Sequence, residues 1–304
     1  MTDAALAAAW LESLRHQRRL SPATLRNYEH ALGLLFAQLE GTPLAKVEPQ
    51  QVRRMVARLH AGGLSGKTLA LTLSAWRGLY HWLVRHQGYA ANPARGVRAP
   101  KSPKTLPKVL SVEQMQRLLD APQAEGARGP QAARDHAMFE LLYSSGLRLA
   151  ELVALDVGEG RDSGRLDLRQ AEVTVTGKGS KTRTVPVGAR AREALHEWLR
   201  QRAQLAAPLE RALFVGARGK RISPGMVQVR LRAWARARGL DAPVHPHLLR
   251  HSFATHVLQS SQDLRAVQEM LGHASTATTQ VYTHLDFQAL AKVYDAAHPR
   301  ARKK

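Results

Sequence analysis

The stretch NPARGVRAPKSPKTLPKVLS, residues 92–111, sets the main constraint on how this chain can fold. It holds four prolines and five basic residues and has almost no apolar periodicity. Proline lacks the N–H that a helix interior or central strand needs, and it pushes the residue before it away from helical backbone. No regular element should cross such a segment, so the chain should fold as two bodies. The expected division is a helical unit over residues 1–95, an extended linker over 96–110 and a second unit over 111–304. The length of 304 residues is comfortable for two domains. A solvated spacer does not need this much positive charge, so the linker reads as a segment lying along a phosphate backbone.

Before the linker the patterning is helical. SPATLRNYEHALGLLFAQL opens with Ser21 as N-cap and Pro22 at the first helical position, and Leu25, Tyr28, Leu32, Leu35 and Phe36 recur on one face. A second helix covers VEPQQVRRMVARLHAGG and stops at Gly62-Gly63, and a third follows Ser65 and stops at Gly88. The first hundred residues carry 13 Lys/Arg against 5 Asp/Glu, which makes this unit small, basic and all-helical. Lys67 and Arg77 of the third helix could enter a groove, and a solvated face explains them equally well.

The whole chain shows the same imbalance, with 45 Lys and Arg against 24 Asp and Glu, a formal charge of +21. A polyanionic partner is expected, and a phosphate backbone is the commonest one. A membrane surface is the competing reading. No apolar run approaches the roughly 18 residues that span a bilayer, and no amphipathic basic anchor stands out. Asp3 and Glu12 interrupt the alanine-rich start and no basic segment precedes it, so it does not read as a signal peptide. The chain has no cysteine, which excludes disulfides, thiolate catalysis and Cys-ligated zinc. The expectation is a cytoplasmic nucleic-acid-binding protein.

After the linker, Ser111 and Gln114 form a capping-box pattern ahead of MQRLLDA. The helix ARDHAMFELLYSSG is stopped by Gly146, and LRLAELVAL starts another. EVTVTGKGSKTRTVPV, residues 172–187, switches to a period of two and reads as a β-hairpin turning at Gly177-Lys178-Gly179-Ser180. LFV at 213–215 reads as a further strand, and the remainder is helical. GEGRDSGRLDLRQ and PQAEGARGPQAARD read as surface-loop insertions. The fold class is therefore a mostly α N-terminal domain plus an α+β second domain, helices with one small antiparallel sheet.

Metal-free attack on a phosphodiester needs cationic forks for the non-bridging oxygens, a nucleophile and an acid for the leaving oxygen. Arg148 opens a helix two residues after Gly146, where backbone N–H groups already favour an anion. His247 and Arg250, in HPHLLRHSFATH, are spaced i, i+3 on one helix face. Lys178 sits between two glycines in the hairpin turn, and Lys181 is an alternative to it. His247 and His251 have metal-pair spacing, but no HExxH glutamate and no carboxylate at ligand spacing accompanies them, so zinc is not expected. His251 and His256 read as structural histidines. In LGHASTATTQVYTH, His273 and Tyr282 flank small hydroxylated residues and a glutamine. A phenol that attacks phosphate must be reachable, and nearby cations would favour its phenolate. Each of these residues alone has an ordinary structural explanation.

In this order, in so basic a chain, Arg148, Lys178, His247-x-x-Arg250, His273 and Tyr282 resemble the tyrosine site-specific recombinases, the phage-integrase family. SPATLRNYEHAL is similar to the start of that family's helical core-binding domain. HLLRHSFATHVLQSS and LGHASTATTQVYTHLDFQALAKVYDAAHPRA narrow the likeness to the Xer recombinases of bacteria. The Ala274-Ser275-Thr276-Ala277 connector departs from the family's usual Asn or Asp and Leu or Ile, which alters a turn and no catalytic group. The resemblance implies a tyrosine-recombinase fold with a catalytic domain over 111–304. It implies that Tyr282 attacks a DNA phosphate to give a 3′-phosphotyrosyl bond, that Arg148 and Arg250 clamp the phosphate, and that Lys178 protonates the 5′-oxygen. His247 and His273 would orient the phosphate or assist proton transfer. Neither a cofactor nor a metal nor ATP is called for. The implied partners are double-stranded DNA at a specific site and a related recombinase, two copies of each in a tetramer that resolves chromosome dimers. The amphipathic segment LDFQALAKVYDAAHPR is read as docking on a neighbouring subunit. A type IB topoisomerase, a phage or integron integrase and a non-enzymatic DNA-binding protein of this fold are the alternatives.

Overall fold

The computed structural model of the chain describes residues 1–18, 20–101, 109–120, 129–158, 164–177, 182–240, 243–272 and 284–301, with the backbone alone for 284–289. It divides into two compact units, Met1–Leu106 and Pro107–Lys304. Among the described residues no helix is long and apolar enough to cross a membrane.

The first unit is built from α1 (Asp3–His16), α2 (Pro22–Leu39), α3 (Pro49–Ala61) and α4 (Gly66–His86). Local chemistry starts each of them. The Ser21 hydroxyl accepts from Thr24 N at 3.2 Å with Pro22 next, and the Ser65 hydroxyl accepts from Thr68 N at 3.1 Å. Glu48 and Gln51 close a capping box on α3. The apolar stripes meet around Trp76, whose indole N–H donates to Ala31 O at 2.7 Å. Trp10 of α1 stacks on Tyr28 of α2 with ring centroids 5.6 Å apart. Its ring also lies where a side chain at Gly78 would be, 2.8 Å from a Cβ placed there, so α1 crosses α4 closely only because residue 78 is glycine.

The second unit packs α5 (Val112–Asp120), α6 (Pro130–Ser144), α7 (Leu149–Ala154), α8 (Ala189–Gln201), α9 (Pro224–Arg236), α10 (Pro246–Ser261), α11 (Leu264–Leu271) and α12 (His284–Ala297) with a sheet of β1 (Arg165–Asp167), β2 (Glu172–Thr176) and β3 (Thr182–Pro186). The Ser111–Gln114 capping box forms as read, with Ser111 N to Gln114 Oε1 at 3.0 Å and Gln114 N to Ser111 Oγ at 3.2 Å. Buried α6 runs through the centre, carrying Met138, Phe139, Leu142 and Tyr143 into the core. The hairpin strands pair antiparallel with Thr176 opposite Thr182. The turn residues 178–181 lie outside the described residues.

Three readings change. Arg165–Asp167, inside a segment read as a loop insertion, is a strand that pairs with β2 and makes the sheet three-stranded. Leu166 is the sole apolar residue among those three, too short a pattern to announce a strand. Within the other expected insertion, Pro130 already begins α6. LFV at 213–215 forms no strand; this segment makes only isolated bridges, Asp156 with Ala212 and Val215 with Arg221.

In the single chain the C-terminal segment packs on its own unit. Leu290, Tyr294, Ala297 and Ala301 are buried, and the Tyr294 hydroxyl hydrogen-bonds Ser144 Oγ of α6 at 2.7 Å. His298 is buried against Tyr143, Phe253 and Tyr294, and burial pushes its imidazole down to about 3, so it packs as a neutral ring. Arg300 donates to both oxygens of buried Glu140, and to Asp120 at 2.7 Å. Tyr294→Ala should lower the stability of the isolated chain by about 3 kcal/mol or more. Thermal unfolding reads this directly. An unchanged transition would mean that the segment finds its partner outside its own domain.

Candidate active site

Gly146 makes the turn from α6 to α7. It lies at φ +55, and a Cβ there would come within 2.4 Å of the Phe253 ring, so both backbone and packing require glycine. The turn delivers Arg148 to the N-cap of α7. Arg148 N donates to Glu151 Oε2 at 2.7 Å, and its guanidinium donates to Glu151 Oε1 at 2.8 Å. The Arg148 side chain stays 43% exposed, so it is anchored at one edge and open at the other.

Arg250 comes from α10 and is 6% exposed. Its two terminal nitrogens donate to Gly146 O at 2.5 Å and Leu271 O at 2.6 Å. Burial first, then the charges of Arg148 and Arg183, pull its pKa down to about 10 against the opposing pull of Glu151. It remains a cation at neutral pH. His247 lies three residues earlier and is exposed. His245 is the N-cap of α10, its Nδ1 accepting from Leu248 N at 3.1 Å, and its ring stacks on His247. Burial and then the neighbouring His247 lower its pKa.

Arg148, His247 and Arg250 line one open groove of about 510 Å³ together with Gln228 and Arg232 of α9. The structure therefore brings together three of the six expected site residues. Lys178, His273 and Tyr282, with Lys181, lie outside the described residues. His256 is half of a buried pair with the Tyr143 hydroxyl at 2.9 Å, consistent with a structural role. Among the described residues, no three His, Asp or Glu side chains gather as a metal site.

Sequence reasoning missed the carboxylate beneath the site. Glu151 is 4% exposed and also receives a bidentate fork from Arg183, at 2.6 and 2.8 Å. Burial alone would raise its pKa, but Arg183 and then Arg148 hold it below the ordinary value of 4.5. Two signals were available. Glu151 is three residues past the Arg148 N-cap, and Arg183 shares the inward register of β3 with buried Val185. Gln228 and Arg232 left no comparable signal.

The fold belongs to a known class. The phage integrase family model matches residues 108–289, and the phage integrase N-terminal SAM-like domain model matches residues 7–87. The chain belongs to the phage integrase family. It is 54% identical to Tyrosine recombinase XerC 1 of Ralstonia nicotianae, across 97% of this chain and 94% of that one. It is 50% identical to Tyrosine recombinase XerC of Azotobacter vinelandii, across 97% and 96%. Its fold matches that of a lambda integrase dimer bound to a COC′ core site, with a TM-score of 0.70 and 18% identity over 93% of this chain and 99% of that one.

The depressed pKa of Glu151 has a consequence for stability. At neutral pH the carboxylate is ionised in both folded and unfolded chains, and its stabilising contribution is fully present. On acidification the unfolded chain takes up the proton first, so the contribution fades as pH falls through the ordinary glutamate range toward the lower native value. Glu151→Gln should lower the unfolding temperature at neutral pH and flatten its decline on acidification. Unfolding temperatures measured across that pH range for both proteins check this.

Proposed function

We infer that this chain is a site-specific DNA recombinase of the XerC kind, cutting and rejoining strands through a 3′-phosphotyrosyl intermediate. The observation that carries the site assignment is the convergence of Arg148, Arg250 and His247 on one groove, with both arginines held by acceptors of their own chain. Three guanidinium groups around one carboxylate leave a net positive potential there, suited to a phosphate and to the extra charge of its transition state.

In this reading Tyr282, ionised to the phenolate that the nearby cations favour, attacks the phosphorus through Oη and the bond to the 5′-oxygen breaks. Lys178 donates the proton that the 5′-oxygen takes as it leaves. Arg148 and Arg250 hold the non-bridging oxygens, and His247 and His273 orient the phosphate or assist proton transfer. The phosphotyrosyl bond conserves the energy of the phosphodiester, so the 5′-hydroxyl of another strand reverses the step without ATP. Each chain cuts one strand, so exchange between two duplexes takes four chains. The likeness to XerC supports a partner of XerD type, two copies of each, acting in the cytoplasm to resolve chromosome dimers before division.

A nicked, labelled duplex carrying a dimer-resolution site tests this. Incubated with the XerD-like partner and then denatured, the wild-type chain should leave a covalent protein–DNA adduct, and Tyr282→Phe should leave none. Arg148→Ala and Arg250→Ala should each slow adduct formation by on the order of 100-fold or more. Binding by both wild type and Tyr282→Phe with no adduct on any site would favour a non-enzymatic DNA-binding protein of this fold.

A further inference from the structure

Arg183 has no part in the chemistry just described, yet its side chain joins three segments that lead to it. It is 6% exposed on β3, and all three of its guanidinium nitrogens donate within the protein. The two terminal nitrogens grip both oxygens of Glu151, the carboxylate that holds Arg148. Nε donates to Met270 O at 2.9 Å, one residue before the Leu271 carbonyl that Arg250 takes. Met270 and Leu271 are the last two residues of α11, where helical carbonyls have no partner within the helix. Gly272 caps that helix at φ +60 against the Arg183 stem, and a Cβ there would lie 2.8 Å from Arg183 Cδ. The next residue in the chain is His273, and Tyr282 follows nine positions later.

We propose that Arg183 is a positioning residue of the cleavage site, holding the C-terminal end of α11 in register with Arg148. The inference rests on the recombinase reading above. Arg183 does not touch DNA; it acts through Glu151 on Arg148 and through the Met270 carbonyl on the segment that carries His273 and Tyr282. An arginine fork presents two parallel donors to the carboxylate oxygens and a third, on Nε, to the carbonyl, whereas a lysine's three donors all radiate from one nitrogen and cannot span that geometry.

The test uses the full-length chain with its partner on the nicked duplex. The variants are Arg183→Lys, Arg183→Met and the double variant Arg183→Met/Glu151→Gln. Gel shift gives DNA affinity, the single-turnover adduct rate at saturating protein gives chemistry, and thermal unfolding gives stability. Arg183→Met should bind DNA nearly as wild type does while its adduct rate falls about 100-fold, the scale of a reacting group displaced by about 1 Å. Arg183→Lys should be intermediate. Removing Arg183 alone leaves a buried carboxylate with only Arg148 to compensate it, so the double variant should regain unfolding temperature. Its adduct rate should stay low.

An adduct rate that recovers with stability in the double variant would reduce Arg183 to charge compensation and overturn the proposal. So would a near-wild-type rate in Arg183→Met, or affinity and rate falling together in equal proportion. If Arg183→Met does not fold, Arg183→Lys and the double variant carry the same comparison. A wild-type chain that forms no adduct overturns the recombinase reading itself, whereas a wild-type adduct with unaffected Arg183 variants overturns only this inference.

Discussion

Glu151 is a carboxylate taken out of water beneath a cluster of arginines, and the site is arranged around the need to compensate it. A buried carboxylate without partners would be strongly destabilising. Arg183 meets it with a two-pronged fork from β3, and Arg148 meets it with both backbone and side chain from the start of α7. With the carboxylate committed to those two, the guanidinium of Arg250 rests on the carbonyls of Gly146 and Leu271 instead. Neutral acceptors orient Arg250 without cancelling its charge. That division keeps the groove positive while its floor stays rigid.

The surrounding core explains how such a cluster can be held still. Gly146 permits the tight turn that delivers Arg148, and the Phe253 ring fills the space that any side chain there would need. Phe253 and Arg250 share α10, so the residue that closes the turn and the residue that binds its carbonyl move together. The segment after α12 packs on α6 and α10 with neutral His298 and the Arg300–Glu140 pair. Apolar packing and a second compensated carboxylate thus support α6.

The N-terminal unit contributes through a different balance. Its core closes on aromatic contacts, Trp10 on Tyr28 and Trp76 on a backbone carbonyl, and among the described residues it holds no buried ion pair. Its basic residues are left on the outside, as on Arg53 and Arg54 of α3 and Lys67 and Arg77 of α4. Positive charge on exposed helix faces suits nonspecific attraction to phosphate, while the catalytic unit keeps its key cations partly buried and fixed.

Much of this was legible in the residues. Ser21, Ser65 and the Ser111–Gln114 pair announced helix starts because capping is a contact between residues two or three apart. The i, i+3 spacing of His247 and Arg250, and Arg148 just past a glycine, were readable because helix geometry alone puts such residues together. The strand at Arg165–Asp167 was not, since three residues with one apolar member carry no period. The packing of the C-terminal segment within the single chain was not, since an amphipathic face looks the same whether its own domain or a neighbour covers it. By itself the sequence determined the helical and hairpin elements, the two-body division expected at the proline-rich stretch, and which residue types could bind a phosphate. Only the tertiary structure decided that Arg183 meets Glu151 from 32 residues away and that two arginines take successive carbonyls at the end of α11. Periodicity says which side chains turn inward, but which buried charge meets which depends on how distant segments pack.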